Sequence, residues 1–224
     1  MDALIFDFDG VVIDSEPIHL EGFRRILGTV GVSISRADYY GKYLGSDDHD
    51  CFLEALRSAG RECPEELIAS LVAQKTRFIQ ETFADSVQPQ PGAVELVRAA
   101  ADAGIPVAVC SGALRSEIEL AARSIGVLDC FAVIVAAQDV EHGKPDPEGY
   151  VKTLAQLSDL LARPLEAPRT IVIEDSPAGI QAGKGAGMKV LAVTASYGAE
   201  ELTEADRVVD CLTQVDVADL GQMV

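Results

Sequence analysis

The sequence predicts an α/β protein: an open, doubly wound parallel sheet with helices on both faces, into which an all-helical segment is inserted. Three observations carry the prediction. Short apolar runs alternate along the chain with amphipathic stretches of helical length, the rhythm of parallel strands joined by crossover helices. Three of those stretches run into a glycine, the usual stop at a helix C-terminus. One long stretch near the N-terminus breaks the alternation and holds apolar residues only at helical spacing.

The first apolar run is Ala3 to Phe6, and similar runs recur at Pro106 to Cys110, Ala132 to Val135, Thr170 to Ile173 and Lys189 to Val193. Their unbroken apolar character is that of strands covered on both faces. Helices are expected over Gly92 to Ala103, Arg115 to Ile125, Pro147 to Leu161 and Ala178 to Ala186; Gly104, Gly126 and Gly187 follow three of them. The insertion runs from about Ser15 to Asp85, leaving 1–14 and 86–224 for the sheet-based core. Within it Ile18, Phe23, Ile26, Leu27 and Val30 form one stripe, and Leu67, Ile68, Leu71, Val72, Phe78 and Ile79 another. The chain returns to the core through Gln88-Pro89-Gln90-Pro91-Gly92, whose prolines suit a stiff linker.

With 224 residues, 48% of them hydrophobic, the chain can bury one core plus a small accessory domain. Its 36 acidic against 18 basic residues give a net charge of -18, which repels nucleic acid and anionic membrane surfaces. A small anionic substrate is compatible only if a cation and a few placed lysines reverse the field locally. The five cysteines, Cys51, Cys63, Cys110, Cys130 and Cys211, are scattered without metal or redox spacing and are expected to be reduced, buried thiols. The N-terminus lacks a basic flank and no apolar run is long enough to span a membrane, so a cytoplasmic location is expected. Nothing in the sequence demands a partner chain; a monomer or weak homodimer is expected.

In open α/β sheets, ligands bind beyond the carboxyl ends of the strands. Four runs end there in suggestive chemistry: Asp7-Phe8-Asp9-Gly10, Ser111-Gly112, Gly143-Lys144-Pro145-Asp146-Pro147 and Glu174-Asp175-Ser176. Each has an ordinary reading alone. Asp9-Gly10 suits a hairpin turn, and Ser176-Pro177 suits a helix N-cap followed by proline at the first helical position. Their convergence on one crevice argues for a site. Asp7, Asp9, Glu174 and Asp175 gathered together would repel one another unless a cation joined them, and a hard divalent ion such as Mg2+ fits oxygen donors best. Asp7, directly off the first strand, is the candidate nucleophile for phosphoryl transfer, and Asp9 the candidate general acid and base. Ser111, Lys144 and the backbone N–H groups at Gly112 would hold the phosphoryl oxygens.

These four stretches resemble the motifs of the haloacid dehalogenase superfamily, in particular its β-phosphoglucomutase and phosphoglycolate phosphatase branch. The segment from Phe6 to Pro17 is similar to the first motif, Cys110-Ser111-Gly112 to the second, Gly143 to Pro147 to the third, and Ile173 to Met188 to the fourth, in the family's order. The resemblance implies a Rossmann-like core with a helical cap inserted after the first motif and an aspartyl-phosphate on Asp7. It also implies magnesium held by the Asp7 and Asp175 carboxylates and the Asp9 carbonyl. Asp9 argues against the dehalogenases themselves, which lack that second aspartate. Mutase-type members carry an arginine in a cap loop that here reads Gly45-Ser46-Asp47-Asp48-His49. Its absence favours a phosphatase of a small phosphorylated metabolite over a sugar-phosphate mutase, the alternative. Asp14, His19 and Lys75 fall near positions that the mutases use to couple cap closure with acid–base chemistry, although His19 also fits an amphipathic helix and Lys75 a snorkelling side chain. A phospho-accepting signalling domain shares the residue types, but would not turn over.

Overall fold

The structure is a computed structural model that describes residues 1–43 and 48–224, with the side chains of 83–85 outside the description. The chain divides into two compact units, Met1–Asp14 with Val87–Val224, and Ser15–Ser86.

The first unit is built on a six-stranded parallel sheet. In chain order its strands are β1 (Ala3–Phe6), β4 (Val107–Cys110), β5 (Phe131–Val135), β6 (Thr170–Glu174), β7 (Lys189–Val193) and β8 (Arg207–Val209), and in space they run β5-β4-β1-β6-β7-β8. The order reverses direction at β1, so the crevice beyond the carboxyl ends of β1, β4 and β6 is the expected ligand position. Five of the six strands coincide with the apolar runs. The sixth, β8, is short, starts on an arginine and lies at the sheet edge, where one side needs no apolar partner. A two-stranded antiparallel ribbon of β2 (Ile13–Asp14) and β3 (Gln88–Pro89) lies beside the sheet. The Gln88 to Gly92 segment is therefore partly strand and not only linker; a proline is tolerated there because a two-stranded ribbon leaves one edge of each strand unpaired.

Alternating strand residues bury both faces of the sheet. Ala3, Ile5, Ala108, Val172, Val190 and Ala192 pack with Tyr150, Leu157, Ile180 and Met188. Leu4, Phe6, Val107, Val109, Ile171 and Ile173 are equally buried and alternate with them. The covering helices are α5 (Ala93–Asp102), α6 (Arg115–Ser124), α7 (Glu148–Leu160) and α8 (Pro177–Gly185), and a short α9 (Val217–Gly221) contacts α5. Helix α7 packs on β4 and β5, and α8 on β6 and β7.

The second unit holds α1 (Glu16–Thr29), a single turn α2 (Arg36–Asp38) continuing into a π-helical turn (Tyr39–Tyr43), α3 (Asp48–Ser58) and α4 (Glu65–Ser86). Helices α1 and α3 both pack on α4. Leu20, Phe23, Ile26, Leu27, Phe52, Leu56, Ile68 and Leu71 close a core of its own, with the Phe23 and Phe52 rings meeting edge to face at 5.0 Å. Among the described residues no helix is long and apolar enough to cross a membrane. The five cysteines are free thiols; Cys51 and Cys110 are buried, the other three half-buried.

Candidate active site

Register explains how distant residues meet. Phe6 lies opposite Ile173 on one side and Val109 on the other, so Asp7 and Glu174 emerge level with each other and Ser111 one residue further along, past Cys110, from three adjacent strand ends. The Asp7 N–H donates to the Ile173 carbonyl at 2.9 Å, which extends the ladder one residue past β1 and fixes the start of the turn that follows. The chain then closes on itself, the Gly10 N–H donating to the Ile13 carbonyl at 2.8 Å and the Val12 N–H to that of Phe8 at 2.8 Å. Asp9 is half-buried in this turn, so the turn-forming character of Asp9-Gly10 and a role in a site coexist.

Asp7, Glu174 and Asp175 are buried and each offers a carboxylate oxygen within 4.8 Å of the others. Lys144 reaches in from the loop before α7, its Nζ donating to Asp7 Oδ1 at 2.7 Å and Glu174 Oε1 at 2.5 Å. Its ammonium also lies over the Tyr150 ring, 5.1 Å from the centroid. The peptide bond from Lys144 to Pro145 is cis. Glu148 holds the same loop by accepting from the Glu141 and His142 N–H groups, each at 2.9 Å.

Glu174 differs from its neighbours in having both oxygens engaged. Oε1 accepts from Lys144 and from the Tyr150 hydroxyl at 2.7 Å; Oε2 accepts from the Asp175 N–H at 3.0 Å and from the Ser176 hydroxyl at 3.1 Å. Ser176 in turn caps α8, its hydroxyl accepting from the Gly179 N–H at 3.1 Å, with Pro177 at the first helical position. Gly179 is required here, since a Cβ on it would lie 1.8 Å from Glu174 Oε1.

One lysine does not balance three buried carboxylates. Burial, with repulsion from Glu174 and Asp175, raises the Asp7 carboxyl well above the usual range against the pull of Lys144. Asp175 is raised to about 7, by burial against a hydrogen bond from Ser196, with repulsion from Glu174 and Asp9 adding to it. Burial opposes the charge on Lys144, but Asp7 and Glu174 overcome it and hold the ammonium above its ordinary range. Glu174 stays below the usual carboxylate range because Lys144 outweighs its burial. A buried oxygen cluster with surplus negative charge matches the donor set and charge demand of a hard divalent cation.

Ser111, at the end of β4, is buried; its N–H donates to the Val135 carbonyl at 3.0 Å and its hydroxyl accepts from the Ala113 N–H at 3.0 Å. Gly112 beside it is exposed. His19 and Lys75 belong to the helical unit. Lys75 is only 1% exposed, so it does not snorkel: its Nζ donates to Asp48 Oδ1 at 2.5 Å and to His19 Nδ1 at 3.0 Å, and stands 4.1 Å from the centroid of the Phe23 ring. Burial, then the charge of Lys75, lowers the His19 pKa to about 4 against the opposing charge of Asp48. Of the loop Gly45 to His49, residues 45–47 lie outside the described residues. Three participants were not foreseen: Tyr150, Ser196 and the close approach at Gly179. Tyr150 follows the lysine loop by one helical turn, a signal that was present; Ser196 carries none.

Comparison with known proteins gives a consistent picture. The model of the haloacid dehalogenase-like hydrolases matches residues 1–187. The chain is 30% identical over 217 residues to validoxylamine A 7'-phosphate phosphatase of Streptomyces hygroscopicus subsp. limoneus, covering 97% of each chain. It is 32% identical over 221 residues to hexitol phosphatase A of Escherichia coli, covering 96% of this chain and 93% of the relative. Among solved structures, CbbY from Rhodobacter sphaeroides in complex with phosphate superimposes with a TM-score of 0.79 at 26% identity, covering 98% of this chain and 99% of that one.

Proposed function

Because the chain belongs to the haloacid dehalogenase-like hydrolase family, as a phosphoric monoester hydrolase, we propose that it hydrolyses a small sugar or polyol phosphate through an aspartyl-phosphate on Asp7, with Mg2+ as its cation. The observation that carries the proposal is the buried carboxylate triad bridged by Lys144 at the ends of β1 and β6.

An Asp7 carboxylate oxygen attacks phosphorus, the bond from phosphorus to the leaving oxygen breaks, and Asp9 gives that oxygen its proton. Water then attacks phosphorus and loses a proton to Asp9, and the bond to Asp7 breaks to release inorganic phosphate. Lys144 pulls Asp7 toward its ionised form against burial and orients it and, with Ser111 and the N–H groups at Gly112, offsets charge on the phosphoryl oxygens. The Asp7 and Asp175 carboxylates and the Asp9 carbonyl would hold a divalent cation, which would supply charge neutralisation at the same oxygens. Glu174, already saturated by hydrogen bonds, anchors Lys144 and the start of α8. His19 and Lys75 are occupied by each other and by Asp48, which favours a structural part for both over a direct grip on substrate. Free thiols fit a cytoplasmic enzyme, acting as a monomer or weak homodimer.

The test is to incubate the protein with Mg2+ and a panel of sugar phosphates, polyol phosphates and phosphoglycolate, measuring free phosphate and isomer in the same reaction. One phosphate released for each ester consumed is expected. Isomer without phosphate would establish the mutase reading, and a single phosphorylation without turnover the signalling one.

A further inference from the structure

We propose that Ser196 is a positioning residue that fixes the Asp175 carboxylate for the divalent cation, an inference that rests on the metal assignment above. Ser196 lies in the loop after β7, the strand next to β6, where Ala192 stands opposite Glu174. Two residues past the strand the Ala195 N–H donates back to the Val193 carbonyl at 2.9 Å, which turns the chain sharply before Ser196. The Ser196 hydroxyl hydrogen-bonds the Asp175 side chain, which is only 4% exposed.

Gly10 closes the cradle. It adopts φ +77°, and a Cβ built on it would lie 2.0 Å from Asp175 Oδ2 and 3.1 Å from Ser196 Oγ. Turn, carboxylate and hydroxyl thus converge on one point that only a residue without a side chain leaves open. A ligating carboxylate with one oxygen tied by a hydroxyl cannot rotate away from its cation, and such supporting partners are commonly worth about 10- to 100-fold in metal affinity.

The experiment is a Mg2+ titration of the full-length protein, followed by melting temperature, for wild type, Ser196→Ala, Ser196→Thr and Asp175→Asn, with the half-activating Mg2+ concentration measured in parallel. Ser196→Ala is expected to raise the Mg2+ concentration for half-maximal stabilisation about 10- to 100-fold, with turnover at saturating Mg2+ within about twofold of wild type. Ser196→Thr, which keeps the hydroxyl, is expected to restore most of the affinity. If Ser196→Ala lowers only the metal-free melting temperature and leaves the Mg2+ midpoint unchanged, Ser196 is merely structural and the proposal is overturned. If Asp175→Asn also leaves the midpoint unchanged, the metal assignment itself falls and takes this proposal with it.

Discussion

Each unit of this protein sets a lysine against acids, and the two clusters differ in their charge balance. In the sheet unit Lys144 faces Asp7 and Glu174 with Asp175 alongside, three carboxylates to one ammonium. In the helical unit, among the described residues, Lys75 faces one carboxylate, Asp48, and an imidazole that burial keeps neutral. Among the described residues the second cluster is balanced, and it ties α1, α3 and α4 together. The first has charge to spare, which is a cost to folding but the condition for taking up a cation and a phosphate. A surplus of acids around the lysine is thus what separates the proposed site from the helical cluster.

The sharpest way to break the comparison is to remove an acid from each cluster. Asp7→Asn is expected to lower kcat/KM for any substrate found by about 10^4-fold or more, as loss of a nucleophile does, without lowering the melting temperature of the metal-free protein, because it relieves repulsion. Asp48→Asn should do the reverse, leaving the chemistry in place while destabilising the helical unit. Turnover and thermal melts on both variants decide it; equal effects on both properties would sink the distinction.

Next in size is Lys75→Met. Lys75 is buried but the Asp48 side chain is 32% exposed, so water offsets part of the roughly 3–5 kcal/mol that breaking a fully buried pair costs; a loss of about 1–3 kcal/mol is expected, read as a fall in denaturation midpoint that added Mg2+ does not reverse. If Mg2+ repaired this variant, the helical cluster would be as ion-dependent as the other.

The histidine supplies a pH test of the same cluster. His19 has a pKa near 4 in the fold and an ordinary value near 6.5 when unfolded. The unfolded chain thus takes up the proton first as pH falls. The contribution of His19 is complete above pH 6.5 and is lost progressively toward pH 4, amounting to about 2–3 kcal/mol once partial exposure is allowed for. Subtracting the stability curve of His19→Gln from that of wild type isolates it; a flat difference between pH 4 and 6.5 would contradict the geometry at Lys75.

How much of this was legible in the sequence follows from the range of each interaction. Strands such as Ala3–Phe6 and Thr170–Glu174 announce themselves because both faces are covered, and the carboxyl-end rule then locates Asp7, Ser111 and Asp175 without coordinates. The short edge strand Arg207–Val209 has no such run, and Gln88–Pro89 carries a proline that argues for linker. Lys75 was ambiguous because a long side chain on an amphipathic helix buries or snorkels equally well; its partner Asp48 stands 27 residues away on another helix. Ser196 was invisible because nothing local distinguishes a loop serine that turns back onto Asp175 from one that faces solvent.

The smallest effect is the one that separates the clusters most cleanly. Mg2+ at ten times its dissociation constant should stabilise the protein by about 1.4 kcal/mol, the linkage expected of any ligand that binds only the folded state. The surplus charge lies at the ends of β1 and β6, so hydrogen-exchange protection should rise in Asp7 to Val12 and Glu174 to Gly179 and stay constant in α1, α3 and α4. Asp175→Asn should abolish the gain, since it removes both the donor and the repulsion that the ion relieves. Protection that rose equally in the helices would mean that the cation acts by screening the net charge of the whole chain rather than by completing one unbalanced cluster.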